Sequence, residues 1–142
     1  PAGRPMAGPE GLHRGAYVLS PEAGQAPDLV LIGTGSEVQH ALAAQAILEE
    51  DGHRVRVVSM PSWELFREQP EGYRRDVLPP SVGARLAVEA GATLGWDEWI
   101  GPEGDVVGLD RFGASAPGEE NFRQFGFTAE DVARRARALL RG

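Results

Sequence analysis

Cysteine is absent from this chain of 142 residues, which excludes a disulfide, a thiolate metal site and a cysteine nucleophile, and fits a cytosolic protein. Lysine is absent too, since all 14 basic residues are arginine. A lysine Schiff base and a lysine-bearing phosphate loop are therefore impossible. Apolar runs such as residues 29–32 fall far short of a membrane span, and the first residues lack a basic segment followed by a hydrophobic signal region. Basic excess is lacking as well: the formal charge is −7, which argues against a nucleic-acid surface. Arg134, Arg135, Arg137 and Arg141 do cluster, but on the last turns of a predicted helix, where they complement the negative end of its dipole.

The composition, 42% hydrophobic and 25% charged, is that of a folded globular domain, and 142 residues suffice for one core without staples. Residues 1–14 read as a linker remnant rich in proline and glycine, and 15–142 as the domain; with no initiating methionine, a piece of a longer protein is expected. Strands are predicted over 16–19, 29–32, 54–58, 85–89 and 105–109. Helices are predicted over 36–50, near 60–66, over 71–77 and over 129–140. Val132, Ala133, Ala136, Leu139 and Leu140 share one face of the last helix. Strands alternating with helices imply an α/β sandwich of three layers around a mostly parallel sheet.

Candidate chemistry is sparse. The turn holding Gly33, Thr34, Gly35, Ser36 and Glu37 joins a buried strand to a helix, so amides at Gly35, Ser36 and Glu37 form a possible anion site. The same residues also fit a capping box, Thr34 with Glu37 or Ser36 with Gln39. Thr128 and Asp131 have the same spacing before the last helix. His13, His40 and His53 share no ligand spacing and read as solvated surface residues. No serine lies in a nucleophile elbow; the stretch Gly113, Ala114, Ser115, Ala116, Pro117 ends in proline. Glu89, at the end of an apolar strand, faces two readings: an acid or base with a raised pKa, or an acceptor for amides of the 112–117 loop or for an indole N–H.

Several segments in order carry a resemblance: Gly33-Thr34-Gly35-Ser36-Glu37-Val38; Met60-Pro61-Ser62-Trp63-Glu64-Leu65-Phe66; Tyr73-Arg74 with Val77-Leu78-Pro79; Val88-Glu89-Ala90-Gly91; and Phe112-Gly113-Ala114-Ser115-Ala116-Pro117. Together they resemble the carboxy-terminal domain of transketolase from Gly15 onward. Arg67 and Trp99 depart from the aspartate and tyrosine that the family often has there. The glycine turn alone is shared with 2-oxo acid dehydrogenase beta subunits, and deoxyxylulose-phosphate synthase is the other related alternative, beside a regulatory module that binds an anion or phosphometabolite.

The resemblance implies five strands with one antiparallel edge strand, and a cytoplasmic homodimeric enzyme of the pentose phosphate pathway. Thiamine diphosphate and a divalent metal, magnesium or calcium, would serve the full-length enzyme through the preceding domains of the same polypeptide. No catalytic, cofactor or metal residue is assigned here: Gly104-Asp105-Val106 is not the family's cofactor motif. Glu89, Trp96, Trp99, Phe112 and Ser115 are instead structural or interface candidates. Some of Trp96, Trp99, Phe112 and Phe125 are expected to stand exposed where the missing domains dock, in a patch of roughly several hundred square ångströms.

Overall fold

A computed structural model describes residues 13–24, 26–89, 95–108 and 128–141. Its sheet runs β1 (Tyr17–Ser20), β3 (Val55–Ser59), β2 (Leu29–Gly33), β4 (Arg85–Glu89), β5 (Asp105–Gly108). All neighbouring pairs are parallel except the edge pair β1 and β3, where a register shift separates Val18 from Ser20. The five strands, mostly parallel with one antiparallel edge, are those expected. β2 is buried at all five positions because helices cover both faces of the central strand.

Side-chain alternation divides the core. Leu29, Leu31, Val55, Val57, Leu86 and Val88 face the two long helices, α1 (Val38–Glu50) and α5 (Ala129–Arg141). α5 turns Val132, Ala133 and Ala136 inward, with Leu139 and Leu140 packed beside them, which is the predicted face. Its arginines pair locally: Arg134 with Asp131, Arg135 with Asp105 and Arg137 with Asp51. Val30, Ile32 and Ala87 face the other way, toward three short helices, α2 (Trp63–Arg67), α3 (Glu71–Val77) and α4 (Asp97–Ile100). Helices this short are not held by their own hydrogen bonds. Aromatic side chains and the Arg85 guanidinium hold them, the latter donating to the carbonyls of Leu78, Pro79, Val82 and Trp99.

Two local expectations need correction. α1 starts at Val38, after a short 3-10 turn over Gly35–Glu37, and Glu37 makes no side-chain capping bond to it. The Thr34 hydroxyl reaches sideways across the sheet to Glu89, and its carbonyl takes the Glu37 amide, at 2.9 Å. The histidines also differ: His13 is exposed, but His40 on α1 and His53 in the turn before β3 are half-buried. The Thr128 cap does form, its hydroxyl accepting the Asp131 amide at 3.1 Å and donating to the Asp131 carboxylate at 2.8 Å.

A candidate site at the carboxyl end of the sheet

β2 passes the chain to β3 on one side, and β3 passes it back across β2 to β4 on the other. In open α/β sheets, ligands enter the crevice between strand ends where the winding reverses in this way. Here that crevice lies between the ends of β2 and β4. Gly33 shapes one wall, since a Cβ there would stand 2.9 Å from the Val38 Cα, so only glycine lets α1 begin this close to the strand. The Gly33 carbonyl accepts the Met60 amide at 2.9 Å and ties β2 to the chain leaving β3.

The Thr34 hydroxyl donates to the Glu89 carboxylate at 3.3 Å, bridging the two strand ends. Beside this bridge opens a cleft of about 390 Å³, walled by Met60, Trp63, Glu64 and Arg67 together with Thr34 and Glu89. Ser62 positions Trp63 by capping α2, its hydroxyl accepting the Leu65 amide at 3.3 Å. Trp63 in turn leans on Trp96, edge to face at 5.1 Å between ring centres. Gly95 approaches the outer edge of the Trp63 ring so closely that a Cβ would meet it at 2.9 Å.

Arg67 carries a positive charge to the rim, but Glu98 holds it in a bidentate pair: Nε donates at 2.9 and 3.0 Å and Nη2 donates at 2.6 Å. The guanidinium lies 5.4 Å from the centre of the Trp99 ring. Those hydrogen bonds hold the Glu98 carboxyl below the ordinary glutamate range, with slight burial opposing them.

The other predicted positions divide plainly. Gly35 is exposed with φ +52°, Ser36 and Glu37 complete the 3-10 turn, and the Glu37 amide is already engaged. Trp96 and Trp99 are 1% and 5% exposed, so neither contributes to an exposed patch. They pack inward because the short helices α2 to α4 need aromatic bulk to cover the sheet: Trp99 lies 5.4 Å from Phe66 and 6.4 Å from Trp63. Among the described residues their indole N–H groups find no acceptor, and Glu89 takes the Thr34 hydroxyl. Phe112, Ser115 and Phe125 lie outside the described residues. Sequence reasoning missed the Thr34 bridge and the Arg67–Glu98 pair. The only available signal was opposite or complementary chemistry on residues 55 and 31 positions apart.

Among the described residues no group of three or more acidic or histidine side chains is placed to hold a metal. Asp105, the acid of the near-miss cofactor motif, is committed to the fold: one oxygen accepts the Val106 amide and the other accepts from Arg135. A diphosphate-bound metal does not fit it. Likewise no described helix is long and apolar enough to cross a membrane.

Comparison with known proteins places this geometry. Residues 15–128 match the family described as the transketolase-like TK C-terminal domain. The chain is 53% identical over 131 residues to a transketolase of Geobacillus stearothermophilus, covering 92% of this chain and 20% of that protein. It is 54% identical over 127 residues to the transketolase of Aquifex aeolicus, covering 89% and 18%. The solved transketolase of Leishmania mexicana superposes with a TM-score of 0.84 at 39% identity, over 97% of this chain and 20% of that one. This chain thus spans about a fifth of the length of the relatives it matches. By fold and by sequence, it belongs to the transketolase family, as the carboxy-terminal domain.

Proposed function

We propose that this chain acts as the non-catalytic third domain of an enzyme that moves a two-carbon ketol unit between ketose and aldose phosphates. The observation that carries this reading is the match of 92% of the chain to one fifth of full-length transketolases. Thiamine diphosphate and magnesium or calcium then belong to the preceding domains of the same polypeptide, onto which residues 15–142 pack, with 1–14 as the joining arm. The assembled enzyme is a cytoplasmic homodimer, and Glu89, Phe112 and Ser115 help shape the docked surface while Trp96 and Trp99 support it from within. Incubated with thiamine diphosphate, magnesium and a ketose–aldose phosphate pair, the chain alone is expected to give no turnover above a matched blank. Turnover would move the chemistry into this domain.

The competing reading is a phosphometabolite sensor at Gly35, Ser36 and Glu37. Its one support is the exposed left-handed turn at Gly35. Amide shifts during a phosphate titration decide it: no saturation below millimolar phosphate is expected, because the Glu37 amide is already bonded to the Thr34 carbonyl. Saturable micromolar shifts at these three residues would establish the sensor.

A further inference from the structure

We infer that the cavity between α2, α3 and α4 at the start of β4 is a binding site for a phosphoryl group, held by the Arg74 and Arg85 guanidinium groups. The three short helices leave a space of about 190 Å³ there, with Phe66 and Trp99 in its walls. That is less than the usual small-molecule site, so it suits a group of a few atoms, with the rest of any larger ligand left at the open rim. Arg85 is the first residue of β4 and Glu89 the last, so this cavity and the cleft beside Glu89 lie at opposite ends of the strand.

Charge decides the ligand class. Arg74, Arg75 and Arg85 line the cavity together with Glu71 and Glu98. Both carboxylates already have a cation, Glu71 pairing with Arg75 at 2.9 Å and Glu98 with Arg67 at 2.6 Å. Two guanidinium groups are left over. Arg85 is half-buried and donates to neutral carbonyls, those of Leu78, Pro79, Val82 and Trp99, which leaves at least one of its N–H groups to give. Burial pushes its pKa down, and among the described residues no carboxylate acts to raise it. Arg74, also half-buried, donates from Nε to the Gln69 carbonyl at 3.1 Å, and among the described residues neither of its Nη groups meets an acceptor. Its charge is felt nearby: the Arg67 hydrogen bonds lower the Glu98 carboxyl most, and Arg74 adds to that effect. Two cations without a carboxylate partner match a dianion. A phosphoryl group carries close to two negative charges at neutral pH, and its three oxygens accept from guanidinium forks, whereas a carboxylate brings half the charge. With exposed Arg75 and Glu98 at its rim, such a site should bind on the order of millimolar.

Inorganic phosphate and glycerol 1-phosphate are the probes, with acetate for comparison. Titrated into the 142-residue chain, either phosphate should shift the Arg74 and Arg85 side-chain N–H signals and the Trp99 indole N–H along one saturating curve, and acetate should bind at least about fivefold more weakly. Tighter binding of the ester than of the free ion would identify a phosphorylated metabolite as the source of the group; equal affinity would identify inorganic phosphate. Arg74→Gln should weaken binding at least about fivefold with the circular dichroism spectrum unchanged. Arg135→Gln, on the other face of the sheet, should leave it unchanged, because a chain of net charge −7 has no general attraction for anions. A linear, unsaturated response to both phosphates would overturn the inference, as would an equal loss in the two arginine variants. If Arg74→Gln does not fold, Glu98→Gln decides: removing a negative charge from the exposed rim should tighten phosphate binding about twofold, and unchanged affinity there overturns the site. Because none of these signals reports ketol transfer, an active chain in the turnover assay would leave this result untouched.

Discussion

Gln45 is the most heavily committed polar residue of the core. It is fully buried on α1, accepts the Ser20 hydroxyl at 2.9 Å, and donates to the carbonyls of Ser20 and Val55 at 3.3 and 2.8 Å. One side chain thereby joins a helix, the antiparallel edge strand and its neighbour. Gln45→Leu keeps the volume but strips partners from buried groups, so it should cost about 2–3 kcal/mol, read as a lower urea midpoint with unchanged slope. Glu98 offers a charge test at the opposite extreme of exposure. Its carboxyl is lowered by the Arg67 hydrogen bonds, so its contribution is present above the unfolded glutamate value and fades as pH falls through the lower folded one. With both side chains nearly half exposed the effect on stability should be small. A carbon-13 titration should nevertheless place the Glu98 midpoint below that of a free glutamate, and Arg67→Gln should return it upward.

Among the elements, caps separate what is local from what is not. Thr128→Ala removes a hydroxyl that accepts the Asp131 amide and should cost about 1 kcal/mol in urea unfolding, with α5 losing its first turn. That cap was legible because donor, acceptor and spacing all lie within four residues. The strands were legible for a related reason: β2 and β4 are short apolar runs bounded by glycine or charge, and their positions came out within a residue or so. Thr34 shows where the reading stops. Its spacing to Glu37 satisfies the same capping pattern, yet the hydroxyl bonds Glu89 on another strand, a choice set by the parallel pairing of β2 with β4. The cleft beside it depends on that pairing and was therefore invisible, although both of its principal residues were individually noticed.

At the scale of the whole molecule, the two covers of the sheet are built differently. Among the described residues, two helices of 13 residues lie on one face, while the other is roofed by helices of five, seven and four residues held together by three tryptophans, Phe66 and Tyr73. With Trp96 and Trp99 buried, tryptophan emission should be blue-shifted, resist acrylamide quenching for most of its intensity, and move to longer wavelength in one step with the loss of far-ultraviolet ellipticity. A red-shifted, fully quenched emission in the folded protein would contradict the buried cluster. Among the described residues the one large apolar side chain left exposed is Leu65, at 40%, so Leu65→Gln should change stability by no more than about 0.5 kcal/mol in thermal unfolding.

The position of α5 has a consequence for synthesis. Residues 129–141 lie against α1, β4 and β5, so a growing polypeptide that has completed all five strands still leaves the β4 and β5 side of that apolar face, and the flank of α1, uncovered. Contacts made earlier, between β2, α1 and β3, can form as those segments emerge, whereas closure of that face waits on the last helix. A pause that holds α5 inside the ribosome after the strands have emerged would therefore leave a half-roofed sheet for chaperones to guard, with aggregation as the risk.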